Sequence, residues 1–173
     1  MNRPTSTVDY RVYHDGFRLI GIAASVTLPQ VQSMTTTVSG GGIMGEIEEP
    51  VMSMFQNMEM TLPFRTVTRD IYRILTQQYH HIELWGAIQT QDPASGKFVV
   101  QQHKIVTRAM PKSYSLGNFN IANPQDSEVA FTVSRFESWL DNQEIIIVDK
   151  FNEIHRINGV DQNLDVLRAI GAS

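Results

Sequence analysis

Polar and apolar positions alternate along most of this chain, and only one internal stretch switches to helical spacing. Val8 to His14 carries Val8, Tyr10 and Val12 in phase, which predicts a strand. Asp15-Gly16 follows, a pair suited to a tight primed turn with positive φ, so Phe17 to Ala24 is expected to return as a second strand. Val26 to Val38 continues extended, with Met34 and Val38 on one face and Ser33, Thr35 and Thr37 on the other; Pro29 suggests a bulge or an edge position. From Met54 to Phe64 the pattern predicts one strand, with Met54, Met58, Met60, Leu62 and Phe64 set against Phe55, Asn57, Glu59 and Thr61. Methionines at this period are core filler before they are a cofactor box.

Thr66 to Gln78 is the exception: Val67, Ile71, Ile74, Leu75 and Gln78 follow a helical stripe. Thr66 or Thr68 can cap this helix, and Asp70 suits the positive end of its dipole. Met34, Met58, Met60 and Leu62 are expected to pack beneath it. Two more hairpins follow. His81 to Thr90 and Lys97 to Met110 flank the turn sequence Asp92-Pro93-Ala94-Ser95-Gly96, and Asp126 to Leu140 turns at Asp141-Asn142 into Glu144 to Phe151. The alternation slips a residue near Arg135, which predicts a bulge. Asn158-Gly159 is a last turn before a short helix, Gln162 to Ile170, stopped by Gly171.

The fold class expected is therefore mainly β, with sandwich- or barrel-like sheets, one amphipathic internal helix and long hairpin loops, in a single domain over residues 1–173. No Lys protects the long mixed-polarity strands at an edge, which leaves them open to pairing with a neighbouring chain.

Thr35 to Pro50 stands apart. A β-branched run breaks at Gly40, Gly41 and Gly42, then resumes with Ile43, Met44, Gly45, Glu46, Ile47, Glu48 and Glu49. Three glycines lose much entropy on ordering, yet the apolar residues beside them do not suit a solvated loop. Two readings stand at this point: a loop that orders against another copy of the chain, or a mobile hairpin tip with a few exposed apolar side chains.

Composition narrows the function classes. The 173 residues include no cysteine, which removes disulfides and thiolate metal sites. A formal net charge of −4 argues against a general nucleic-acid binder, which needs a basic face. No apolar run is long enough to span a membrane, and the opening Met1 to Thr7 lacks the apolar core of a signal peptide, so a cytoplasmic product without a membrane anchor is expected. His80-His81-Ile82-Glu83 is the cluster nearest a metal site. On a strand, His81 and Glu83 share a face while His80 points away, so at most two ligands converge and solvated histidines at a helix-to-strand corner are expected. Glu46, Glu48 and Glu49 lie in a Gly/Pro-flanked loop that would not hold a catalytic geometry. No nucleophile elbow or phosphate loop occurs, and no enzyme, cofactor or metal site is expected.

An ordered set of motifs carries a resemblance. Val12-Tyr13-His14-Asp15-Gly16-Phe17, then Val26-Thr27-Leu28-Pro29, then Gly40-Gly41-Gly42-Ile43-Met44-Gly45 resembles the opening of the major tail tube protein of contractile-tailed phages and R-type pyocins. Ile157-Asn158-Gly159-Val160-Asp161-Gln162, with Leu164, Leu167 and Arg168, is similar to that family's C-terminal signature. One residue more separates the glycines from Met44 than the family pattern has.

The resemblance implies a structural subunit of the inner tail tube. Six copies would join sheet edges into a ring and a tube barrel, and stacked rings would form a conduit for DNA or for envelope perforation. The implied partners are the chain itself, a sheath protein outside, a tape measure protein or DNA inside, and baseplate and terminator proteins at the ends. The implied location is a virion tail or phage-like particle made in the host bacterial cytoplasm. Gly40, Gly41, Gly42, Ile43, Met44, Glu46, Ile47, Glu48 and Glu49, within the loop 35–50, are the expected interface. The arm 157–173 is the second terminal feature. Ser33, Thr35, Thr37, Asn57, Glu59 and Thr61 are candidate lumen residues. A type VI secretion-like tube protein is the nearest alternative, and a small-molecule-binding β-barrel the alternative of a different class.

Overall fold

Eleven strands and two short helices occur along the described residues, 3–172, of the computed structural model. Met1, Asn2 and Ser173, the extremes of the span 1–173 and the last position of the arm 157–173, lie outside them. In chain order the elements are β1 (Arg3–His14), β2 (Phe17–Arg18), β3 (Ser33–Ser39), β4 (Glu46–Phe55), β5 (Met58–Phe64), α1 (Arg69–Ile74), β6 (His80–Gln91), β7 (Phe98–Ser115), β8 (Ser127–Leu140), β9 (Gln143–Asp149), β10 (Ile154–Ile157), β11 (Val160–Asp161) and α2 (Leu164–Ala169).

Nine strands form one antiparallel sheet, in the order β11-β10-β9-β8-β7-β6-β1-β2, with β5 also paired to β8. β3 and β4 form a separate two-stranded hairpin. The turns are where the side chains demand them. Asp15 and Gly16 have φ of 46° and 85°, Asp141 and Asn142 47° and 63°, and Asn158 and Gly159 50° and 79°. These are the primed-turn conformations that match the twist of the flanking strands. Between β6 and β7, Asp92 accepts from the Ala94 N–H at 3.0 Å and the Ser95 hydroxyl at 2.6 Å, fixing the predicted turn.

The phase slip near Arg135 is a bulge at Ser134. β7 pairs along one edge of β8, but Arg108 opposes Arg135 while Ala109 opposes Val133, so Ser134 is left over. The other edge of β8 changes partner at the same place. Ser127 to Val133 pair with β5, and Arg135 to Leu140 pair with β9. The extra residue bends the strand, so one sheet serves two directions.

Period-two burial is cleanest at the branch. Met58, Met60, Leu62 and Phe64 of β5 face Val129, Phe131 and Val133 of β8, all buried, and Ile71 and Ile74 of α1 join the same cluster. Methionine as core filler is correct for Met58 and Met60. Met34 and Met54 are not in that core: they are 46% and 53% exposed, on or at the root of the hairpin. The strand expected over Met54 to Phe64 is interrupted at Gln56-Asn57, where Gln56 N–H donates to Gln32 at 2.8 Å and Lys150 reaches the Gln56 carbonyl. β4 and β5 thus belong to different sheets.

Three other expectations change. The return strand Phe17 to Ala24 is only Phe17–Arg18, because the chain then leaves β1 and crosses to the free edge of β5. It touches β5 through the bridges Ile22–Phe64 and Thr27–Thr61, so Val26 to Ser33 is largely irregular rather than strand. The helix is six residues, shorter than Thr66 to Gln78; Thr68 occupies the N-cap position, but its hydroxyl makes no capping bond. Asp70 does lie in the first turn. The C-terminal arm starts at Ile157, the last residue of β10, and contains β11, whose pairing with β10, itself paired to β9, ties the arm to the main sheet.

Candidate assembly surfaces

Most of Thr35 to Pro50 is paired strand rather than loop, a hairpin with the glycines at its tip. Ser39 lies opposite Glu46, Val38 opposite Ile47, Thr37 opposite Glu48, Thr36 opposite Glu49 and Thr35 opposite Pro50. Directly opposite residues share a face, so one side carries Thr35, Thr37, Glu46 and Glu48, and the other carries Val38, Ile47, Thr36 and Glu49. Gly40, Gly41, Gly42, Ile43, Met44 and Gly45 make the tip. There the Ile43 N–H donates to Gly40 at 3.1 Å and the Gly45 N–H to Ile43 at 3.1 Å. Gly42 and Gly45 have φ of 89° and 106°, conformations open to glycine at little cost. Met44 is fully exposed, and Ile47 and Met52 are also exposed. The hairpin buries little of its own apolar surface.

The candidate lumen residues fall into two groups. Thr35 and Thr37 share the hairpin face with Glu48, whereas Ser33 pairs with Phe55 across an irregularity in the register. Glu59 and Thr61 point away from the β5 core positions, and Asn57 precedes the strand and donates to Glu59 at 3.0 Å. Glu59 is also bound by the Lys112 ammonium, whose hydrogen bond and charge hold the carboxyl below its ordinary range.

At the hairpin root lies a cleft of ≈ 660 Å³ lined by Met52, Phe55, Ile154, Val166, Leu167 and Ile170 among others. Ser53 hydrogen-bonds His155 at 3.1 Å, and Phe55 meets the same imidazole edge-on at 4.8 Å between ring centres. The two features identified at opposite parts of the sequence, the glycine hairpin and the C-terminal arm, are therefore neighbours.

Two further surfaces were not singled out from the sequence. The outer edge of β1 pairs with β2 only at Tyr13 and His14, so the edge from Arg3 to Arg11 is largely without a strand partner among the described residues. A groove of ≈ 460 Å³ separates it from residues 18–24. Pro4 and two register irregularities break its flatness, so it is better guarded than the alternation suggested. The β7–β8 connection exposes Phe119 and Ile121 almost completely. Its signal was of the same kind as Ile43-Met44, apolar residues in an otherwise polar loop.

A charged seam crosses the outer face of β6, β7 and β8. Glu83 accepts from Trp85 at 2.8 Å, from His81 at 2.8 Å, and pairs with Lys104 at 3.4 Å. Burial opposes its ionisation, but these three donors outweigh it and hold the carboxyl below its usual range. Glu137 repeats the arrangement, with Trp139 at 3.0 Å and Arg135 at 2.6 Å. The expected sharing of a face by His81 and Glu83 is correct. His80, by contrast, is 1% exposed and not a solvated histidine.

Comparison with known proteins accounts for this architecture. The chain is 25% identical over 166 residues to the tail tube protein of Escherichia phage P2, covering 92% of this chain and 93% of that protein. Its fold is similar to the sheath/tube terminator of the extracellular contractile injection system PVC, with a TM-score of 0.54 at 14% identity over 78% of this chain and 96% of the other. It is also similar to a chain of the PVC sheath–tube complex, with a TM-score of 0.51 at 14% identity over 75% and 86%. The sequence profile described as phage tail tube protein FII matches residues 4–171. That family is structural, not enzymatic, and this chain belongs to it.

Proposed function

We propose that this chain is the repeating subunit of the inner tube of a contractile tail or phage-like particle, a single tube domain over residues 1–173. Six copies close into a ring and rings stack into a hollow conduit, for DNA ejection or for envelope perforation. The observation that carries this is the β3–β4 hairpin, whose strands pair with each other and whose tip presents Met44 to solvent. A structure that spends ten residues of β4 on a projection with little buried apolar area has its stabilising contacts elsewhere. The incompletely paired β1 edge supplies a second surface, where a strand from a sister subunit would continue the sheet by main-chain hydrogen bonds.

In this reading Gly40 to Met44, Glu46, Ile47, Glu48 and Glu49 contact a neighbouring subunit or ring. Thr35, Thr37, Glu59 and Thr61 are polar enough to line a lumen, with Ser33 and Asn57 at their margins. The net charge of −4 suits a wall that repels phosphate weakly rather than gripping it. A sheath protein would lie outside, a tape measure protein or DNA inside, and baseplate and terminator proteins at the ends, in a particle assembled in a bacterial cytoplasm. The test is to delete Gly40 to Glu46 and to image concentrated protein by negative-stain electron microscopy. Wild-type protein is expected to give rings or hollow rods, and the deletion to give folded protein without them. Normal tubes from the deletion would overturn the hairpin's role, and a wild-type protein that stays monomeric at every concentration would overturn the whole reading.

A further inference from the structure

His14 and Asp15 end β1 and begin its turn, and His80 begins β6; the β1–β6 pairing, with His14 opposite Ile82, brings the three together. His14 Nε2 lies 2.8 Å from His80 Nδ1 and 3.1 Å from Asp15 Oδ2, and one ligand atom from each of the three residues lies within 4.8 Å of the others. We propose that His14, Asp15 and His80 form a divalent-metal site of the zinc class, two imidazoles and one carboxylate with the remaining position open to water.

The donor set is the one zinc takes from nitrogen and oxygen ligands, at about 2.0–2.2 Å from each. Two such ligands around a tetrahedral ion stand about 3.3 Å apart by that geometry, so the imidazoles need open by only about half an ångström. Asp15 is half-exposed and gives both the adjustment and the entry path, while His80 is buried and holds its place.

The surrounding bonds resemble those that orient metal ligands. His80 Nε2 stands 3.0 Å from the Thr76 carbonyl, so it carries the proton and leaves Nδ1 with its lone pair toward His14. Asp15 Oδ1 accepts from the His81 N–H at 3.2 Å, and the Asp15 N–H donates to the His81 carbonyl at 2.9 Å, which leaves Oδ2 aimed at the imidazole pair. Asp15 is further fixed by its left-handed φ of 46° in the turn. The charges that α1 brings close, Asp70 and Arg73, pair with each other at 3.7 Å and leave the site without a net opposing charge. An ion here would clamp the β1–β2 turn to the first residue of β6 and, through the Thr76 carbonyl at His80 Nε2, to the segment after α1. The site is distinct from His81 and Glu83, which lie on the opposite face of β6.

The same three residues could instead be held by hydrogen bonds alone, with the His14 Nε2–H shared between His80 and Asp15, and the test separates the two. Full-length protein stripped with chelator is titrated with zinc chloride by calorimetry and, in parallel, with cobalt(II) followed by visible absorption. Expected are one zinc per chain, the intense visible bands of four-coordinate cobalt and a rise in melting temperature with zinc. Asp15→Asn, which retains the turn conformation, and His14→Gln should each weaken zinc binding by at least about 10-fold, while His81→Gln leaves it unchanged. Variants are compared only after far-UV circular dichroism shows the wild-type spectrum. Two variants at different exposures keep the test alive if one does not fold. Absence of saturable one-to-one binding, or binding that survives both Asp15→Asn and His14→Gln, or that is lost in His81→Gln, overturns the proposal.

Discussion

Arg135 donates to the carboxylate of Asp149 at 2.8 Å, one residue beyond the bulge at which β8 exchanges β5 for β9. Asp149 is buried and also accepts from the Phe151 and Asn152 N–H groups and from the Asn152 side chain at 2.7 Å. One carboxylate therefore anchors both the branch of the sheet and the turn into β10. Burial opposes its charge, but the hydrogen bonds from Asn152 and Arg135 prevail and hold its pKa below the ordinary value. The folded pKa lies below the unfolded one, near 3.9. The stabilisation is thus complete above that value and is lost as pH falls through the folded pKa. In urea unfolding from pH 7 to pH 3, burial of His14, His103 and His155, which lowers their folded pKa values, makes stability fall as pH drops below about 6.5 in wild type and variant alike. The Asp149 contribution, read as the difference between wild type and Asp149→Asn, should be constant above about pH 5 and shrink below about pH 4. Asp149→Asn should cost about 1–3 kcal/mol at pH 7 and show a shallower acid decline. An acid limb as steep as wild type in that variant would remove Asp149 from the account.

Gly117 closes the long β7–β8 connection against Gln125. A Cβ at this position, whose φ is +75°, would lie 1.9 Å from the Gln125 carbonyl oxygen, a backbone atom that cannot swing aside. Gly41 has open space around it and no positive φ. Gly117→Ala is expected to destabilise the chain by at least about 1–3 kcal/mol. Gly41→Ala should stay within about 0.5 kcal/mol. Equal melting temperatures for the two variants would contradict the closure.

Met60 and Met54 occupy equivalent phases of one alternating pattern but different environments, one fully buried and one exposed. Met60→Ala should cost about 2–5 kcal/mol through lost contacts and a residual cavity, and Met54→Ala within about 0.5 kcal/mol. Chemical denaturation of the two variants reads the change of sheet at Gln56-Asn57 as a difference in stability. Comparable losses would mean that Met54 turns inward after all.

At the hairpin, Met44→Ser combined with Ile47→Ser removes exposed apolar surface that touches little within the chain. Monomer stability should change by no more than about 0.5 kcal/mol per site, while sedimentation of assembled material falls sharply. If the monomer instead loses several kcal/mol, the hairpin folds back on its own subunit and is not a contact surface.

Much of this fold was legible because its causes are local. Asp15-Gly16, Asp141-Asn142 and Asn158-Gly159 specify their turns through positive φ, and these turns set which strands are neighbours. The bulge at Ser134 appeared as a one-residue slip because a strand buried on one face cannot change phase without an extra residue. The terminal motifs placed the chain among tail tube proteins, and the profile match over residues 4–171 agrees.

Sequence alone determined the β class, the turns and the alternating core of β5 and β8, since side-chain period and turn geometry act between residues close in the chain. Only the tertiary structure decided that the same alternation is buried at Met60 and exposed at Met54, and that residues 19–32 cross to β5 instead of returning beside β1. It also decided that His14 meets His80 across 66 positions of sequence. Period two names two faces without saying which is covered, and pairing between distant strands depends on where the sheet bends. Those choices are made by packing, after the local rules have been satisfied.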